Sequence, residues 1–230
     1  MSFKKQHILG TFLSPLVCWF VEITRLLRIN KILRKLPEKF KFCQWLWQWN
    51  NYNLKFEMRN SSRQISGLNE LIDWLGDTKN LTLVEIGSYR GESASIFLNS
   101  GKFYNIYCVD PWDNCYDIND FAGFTNMKSV EKDFDNRFEK DSRIIKVKGT
   151  IETLIKKYPQ LQPDVIYIDG CHTYDAVKND LIMTIKHLHP KLAICGHDFS
   201  DTFPGCKAAI IEICGTPEKI FPDTSWGKRM

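Results

Sequence analysis

Apolar and polar positions from residue 65 onward fall into blocks that predict helix and strand in turn. Ile65, Leu68, Leu71, Ile72 and Leu75 recur at helical spacing and stop at Gly76, which predicts a glycine-capped helix. Leu81, Leu83, Val84 and Ile86 predict a first strand over 81–86. A glycine turn follows, then a helix from about Glu92, through Ile96 and Phe97, to Gly101. Further strands are predicted over 104–109 and 143–148, with helices over 127–140 and 151–158. The run 164–169 reads as a buried central strand. Tyr174, Val177, Leu181, Ile185 and Leu188 mark the next helix. A strand over 192–195, a helix over 207–213 and a strand near 225–229 complete the pattern. Such alternation predicts an α/β fold: a mostly parallel sheet over residues 61–230 with helices on both faces. Residues 1–60 are expected to form a separate N-terminal helical extension, basic and aromatic in character.

Composition adds two constraints. A chain of 230 residues suits one α/β domain plus an extension, and its 43% hydrophobic content is ordinary for a globular protein. Charge is uneven. Residues 1–41 carry nine Lys/Arg against two Asp/Glu, a net of +7, whereas the rest carries 22 against 25, a net of −3. The basic character thus belongs to the N-terminal arm, and a nucleic-acid partner for the main domain is not expected. The apolar run 8–21 contains Pro15 and stops at Glu22, short of the ~20 residues a bilayer span needs, and a cleavable leader fits it poorly. Arg25, Arg28, Lys31 and Arg34 then recur among Leu26, Leu27, Ile29, Ile32 and Leu33. Two readings stay open: residues 8–36 lying on an anionic membrane surface, or a helix packed on the domain with its charges in water. Trp45, Trp47, Trp49 and Tyr52 suit a substrate mouth or the cover of a core edge. The eight cysteines form no Cys-x-x-Cys pair, so a reducing, cytoplasmic location is expected, peripheral to a membrane if the arm binds one. Monomer and homo-oligomer are both compatible with the sequence.

The candidate chemistry begins at Val84–Ser93, a strand, a glycine turn and a helix start. Gly87 allows the tight turn, and Gly91 is expected to let a ligand approach the backbone. Asp110 closes the second strand, 23 residues after Gly87, where a carboxylate accepts hydrogen bonds from both hydroxyls of a ribose. A nucleoside cofactor site is therefore expected. A nicotinamide dinucleotide, and with it an NAD(P)-dependent oxidoreductase, is one alternative. It lacks the usual third glycine, and Glu85 before the turn repels a pyrophosphate but suits a cationic amino-acid ligand.

A second group gathers at the ends of later strands. Asp169 ends the 164–169 strand, His172 follows three residues on, and His197 and Asp198 end the next strand. Carboxylates with an imidazole at one rim suit a divalent cation such as magnesium. The plain alternative is that Asp169 caps the helix after it. A metal lowers the pKa of a coordinated hydroxyl, and a nearby imidazole collects the proton, which makes His172 the candidate base.

The pattern Glu-Ile-Gly-x-x-x-Gly-x-Ser resembles motif I of class I S-adenosylmethionine-dependent methyltransferases, in the two-glycine form of the metal-dependent O-methyltransferases. Asp-Val-Ile-Tyr-Ile-Asp-Gly-x-His-x-Tyr-x-x-Val-x-x-Asp, Gly-His-Asp-Phe and Pro-Gly-Cys-Lys-Ala-Ala are similar to the macrocin-type and cephalosporin-hydroxylase-like bacterial group, over about residues 65–215. The resemblance implies a Rossmann-like fold and methyl transfer from S-adenosylmethionine to an oxygen of a small-molecule acceptor, a sugar or natural-product hydroxyl. It implies cofactor contacts at Glu85, Gly87, Ser88, Gly91, Ser93 and Asp110, with Thr150 near the adenine. By position it maps a metal onto Asp169, His197 and Asp198, and the base onto His172. His197-Asp198 departs from the acid–amide pair of the catechol-type enzymes. A fold kept for membrane-surface or partner binding, without turnover, is the remaining reading.

Overall fold

A computed structural model describes residues 62–113 and 126–230. The expected N-terminal extension, its basic helix, the tryptophan-rich stretch and most of the 111–126 segment lie outside the described residues.

Helix α1 (Ser62–Trp74) precedes β1 (Leu81–Ile86), α2 (Glu92–Asn99) and β2 (Phe103–Asp110). Then come α3 (Met127–Phe138), β3 (Ile144–Lys148), α4 (Ile151–Lys157) and β4 (Val165–Ile168). Helix α5 (Tyr174–Met183) runs into a π-helical turn (Thr184–Leu188), followed by β5 (Ala193–Gly196) and α6 (Pro204–Cys214). A terminal hairpin of β6 (Lys219–Ile220) and β7 (Trp226–Arg229) closes the chain. The two-residue β6 has no periodicity to read, and the sequence did not predict it. The sheet order is β3-β2-β1-β4-β5-β7-β6. Strands β1 to β5 pair in parallel, and β7 is antiparallel to both β5 and β6. This is the expected Rossmann-like architecture.

The central strands β1, β4 and β5 are buried on both faces along almost their whole length, so they read as near-continuous apolar runs rather than alternation. Leu83, Cys108 and Tyr167 look toward α1, α2 and α3, where Leu68, Phe97 and Phe134 complete one core. Val84, Ile86, Ile166 and Ile168 look toward α4, α5 and α6, against Leu154, Leu181 and Ile210. Burial of each such side chain stabilises the fold by roughly 1.5–3 kcal/mol. Two stripe residues depart from expectation. Ile65 is exposed, and α1 turns Gly67, Leu68, Leu71 and Ile72 inward. Where α5 widens into the π turn, Thr184 and Leu188 face inward and Ile185 does not.

Strand order reverses between β1 and β4, because the chain builds β2 and β3 on one side before crossing to the other. Their carboxyl ends are level: Ile86 pairs with Val109 on one side and Ile168 on the other. A crevice opens above such a switch point, which is where α/β sheets place ligands.

Candidate functional site

At the β1 end, Gly87 has φ +91° and donates its N–H to Val109 O at 2.8 Å. A Cβ there would sit 2.1 Å from the Asp169 carbonyl oxygen, so glycine lets the exits of β1 and β4 touch. Asp169 N returns a 2.8 Å bond to Ile86 O. Gly91 also has positive φ, but its neighbour differs from the expected ligand. A Cβ at Gly91 would lie 2.2 Å from the Phe138 ring, so packing of α3 claims that space.

Asp110 ends β2 as a buried carboxylate. Its Oδ2 accepts from Tyr89 N at 2.9 Å and its Oδ1 from Trp112 N at 2.7 Å. Burial raises its pKa, an effect these two donors oppose. One backbone donor per oxygen leaves lone pairs for a diol, so the residues present fit a ribose. Trp112 is an anchor for this loop: its Nε1 donates to Tyr89 O at 2.8 Å, and its ring packs on Phe134 with Lys146 Nζ 4.8 Å from its centre.

Glu85 is fully buried between Cys108 and Tyr167, its neighbours across β2 and β4. Its Oε1 accepts from Ser93 Oγ at 2.5 Å. The two residues tie α2 to β1 beneath the turn, and Ser88 is buried with them. Direct contact between Glu85 and a cationic ligand is thus not part of this geometry. Thr150 caps α4 just past β3, and Gly149 N bonds Asp110 O at 2.9 Å, which brings this segment beside the β2 exit.

The β4 and β5 exits supply the second group. Asp198, with φ +60°, is clamped by two imidazoles. His172 Nε2 lies 2.8 Å from its Oδ2 and His197 Nδ1 lies 3.1 Å from its Oδ1. Burial works to raise the Asp198 pKa, but His197 and His172 outweigh it and hold the carboxylate far below the usual range. His197 Nδ1 also stands 3.6 Å from Asp169 Oδ1. The His172 ring lies against Phe203 with centroids 4.7 Å apart, which fixes its plane. One ligand atom each from Asp169, His172 and Asp198 falls within 4.8 Å of the others, so this donor set fits a divalent cation. The structure therefore brings together all four rim residues singled out in the sequence, and adds the His172–Asp198 pair, for which no spacing rule exists. Asp223, in the turn of the terminal hairpin, was not anticipated either: its Oδ2 lies 4.0 Å from His197 Nε2. In sequence it follows Pro222 and reads as an ordinary turn residue.

Comparison with known proteins bears on the family and the fold. Residues 84–199 match a family described as "Methyltransferase domain", and the chain belongs to that family. The match runs from β1 through the rim, and so contains both groups of residues. A protein of Acanthamoeba polyphaga mimivirus, "Uncharacterized protein R132", is 26% identical over 125 residues, 53% of each chain. The chain thus spans about half the length of that curated relative. An O-methyltransferase from Bacillus cereus, solved in complex with SAH, shares the fold at a TM-score of 0.51. The identity is 14%, and the alignment covers 80% of this chain and 87% of that one.

Proposed function

We propose that this protein transfers a methyl group from S-adenosylmethionine to a hydroxyl of a small acceptor, a sugar or natural product. Asp110 carries the reading: a buried carboxylate at the β2 end, held by two backbone N–H groups beside the glycine turn. It would grip the ribose, with the backbone around Gly87 and Ser88 against the amino-acid portion and Thr150 near the adenine. When bound, S-adenosylmethionine supplies an already activated methyl, so the protein's task is alignment and removal of the acceptor proton.

His172 takes that proton. Asp198 accepts from Nε2 and leaves Nδ1 as the basic nitrogen, while Phe203 holds the ring in place. Asp169, His197 and Asp198 would hold a divalent cation, which lowers the pKa of a coordinated hydroxyl. His172 is near enough to join that ligand set, and a proton acceptor and a ligand are exclusive roles for one nitrogen. Loss of turnover with a chelator identifies the cation as required.

Calorimetric titration of S-adenosylmethionine tests the cofactor assignment, with NADH as the competing arm. The wild type should bind the first, and Asp110→Ala should weaken it by roughly 1.5–3 kcal/mol, about 10- to 150-fold. Equal affinity of the two proteins, or preference for NADH, overturns the proposal. The basic arm, read as an address on an anionic membrane, should be dispensable for this binding when residues 1–41 are removed.

A further inference from the structure

We propose that Trp112 is a positioning residue for the cofactor half of the crevice: it locks the Asp110 carboxylate in the orientation that offers both oxygens to a vicinal diol. What the lock serves rests on the functional reading above; its geometry stands apart from that reading.

Three hydrogen bonds join Asp110, Tyr89 and Trp112 into a closed ring. Tyr89 N donates to Asp110 Oδ2 at 2.9 Å, and Trp112 N donates to Asp110 Oδ1 at 2.7 Å. Trp112 Nε1 closes the ring by donating to Tyr89 O at 2.8 Å. The turn after β1 and the exit of β2 are thereby tied to each other, and each bond places a partner of the next. The terminal torsion of an aspartate is otherwise broad. Held at both oxygens, this carboxylate cannot swing, and its remaining lone pairs keep one direction. Pro111 favours the arrangement: it has no N–H, so Trp112 N is the next donor along the chain.

Closing the ring makes a demand on the backbone. Tyr89 has φ +47° and Trp112 φ +43°, left-handed conformations that cost free energy in a residue with a Cβ. They persist only where the surroundings hold them. The indole is what holds them. It packs on Phe134 of α3 with ring centroids 4.9 Å apart, and Lys146 Nζ of β3 lies 4.8 Å from its centre. Lys146 is fixed in turn by Glu131 at 2.9 Å and Asp135 at 2.6 Å. Only 3% of Trp112 is exposed, so the ring is closed to stacking by a ligand. Its effect on the crevice therefore passes through Tyr89 and Asp110. Without the indole N–H, Tyr89 O loses that bond, the turn is free to relax to negative φ, and Tyr89 N leaves Oδ2. Asp110 would still accept from a hydroxyl, but binding would then have to order it first, a cost that preorganisation removes.

Two readouts on the full chain test this. The first is hydrogen exchange of the Tyr89 amide, followed by NMR without cofactor. In Trp112→Phe that amide should exchange roughly tenfold faster than in the wild type. The second is calorimetry with S-adenosylhomocysteine and with its analogue lacking both ribose hydroxyls. Trp112→Phe should weaken the first roughly 3- to 10-fold, the share of one hydrogen bond, and leave the second unaltered, so that the preference for the diol shrinks. Benzothienylalanine incorporated at position 112 is the second variant. It keeps the shape and packing of the ring and replaces only the N–H by sulfur, and it should reproduce both effects. An unchanged Tyr89 exchange rate in both variants overturns the lock. Equal losses for the two ligands overturn its action through Asp110 and make Trp112 a structural residue. If the wild type binds neither ligand, the cofactor reading fails, and the exchange rates still decide the lock.

Discussion

The two halves of the crevice are built from different materials. On the β1/β2 side the ligand-facing features are backbone: a turn at positive φ, and a carboxylate whose oxygens each rest on a main-chain N–H. On the β4/β5 side they are side chains bonded to side chains, with Asp198 held between His172 and His197. A backbone cradle is set by the fold and tolerates little change in glycine or strand register. A side-chain cluster can be altered by one substitution while the fold stays intact. Under the proposed function this difference would separate a cofactor half from an acceptor half, and it makes the two halves separable by experiment.

Gly87→Val should damage both halves together. A β-branched residue at φ +91° is strained, and its Cβ would press on the Asp169 carbonyl that joins the two halves. The expected cost is at least about 3 kcal/mol, a fall in melting temperature of roughly 6–12 °C for a domain of this size. A variant that melts like the wild type would show that the exits of β1 and β4 are not in contact.

His172→Gln should sharpen the comparison by damaging one half only. Turnover should fall about 10²- to 10⁴-fold, the usual contribution of a positioned base, while S-adenosylmethionine affinity stays as in the wild type. Asp198→Asn should act in the same direction, because it removes the acceptor that orients the ring. Parallel losses in affinity and turnover would instead make His172 a structural residue of the β4 exit.

The unequal legibility of the halves in sequence has the same origin. The glycine turn and the acid at the next strand end are local: their spacing follows from one strand–helix–strand unit, and Gly87 and Asp110 could be named from it. Why Gly91 is glycine could not, since the answer is a Phe138 ring some 47 residues away. Glu85 showed a related limit. Periodicity located it on β1, but only the packed neighbours Cys108 and Tyr167 reveal that it faces the interior. At the rim, Asp169, His172, His197 and Asp198 were visible as strand-end residues because parallel strands bring their carboxyl ends together. Their pairing was not visible, because hydrogen-bond choice depends on loop conformation, and Asp198 adopts a left-handed one. Asp223 was out of reach altogether. It arrives by an antiparallel hairpin whose first strand has two residues, too few for a pattern.

The smallest expected effect concerns the seam between the halves. Asp180 is buried on α5, and its Oδ2 lies 3.8 Å from where a Cβ on Gly170 would be, beside Ile86 at the β1 exit. Burial first, and the charge of Glu152 second, push its pKa up to about 7 from 3.8. Between those values the folded protein holds a proton that the unfolded chain has released. Stability from this group is therefore fully present below about pH 4 and lost as pH rises to about 7. This is opposite in sign to a paired carboxylate. Asp180→Asn removes the ionisation at nearly constant shape, so it should change little at pH 4 and should stabilise the protein at pH 8. The gain should be about 1 kcal/mol once relaxation and water entry around the charged form are allowed for, or roughly 2–4 °C in melting temperature. Melting curves of the two proteins at both pH values check it. The difference between them must grow with pH; a constant offset would mean that Asp180 is ionised throughout and that the seam is wetter than its packing indicates.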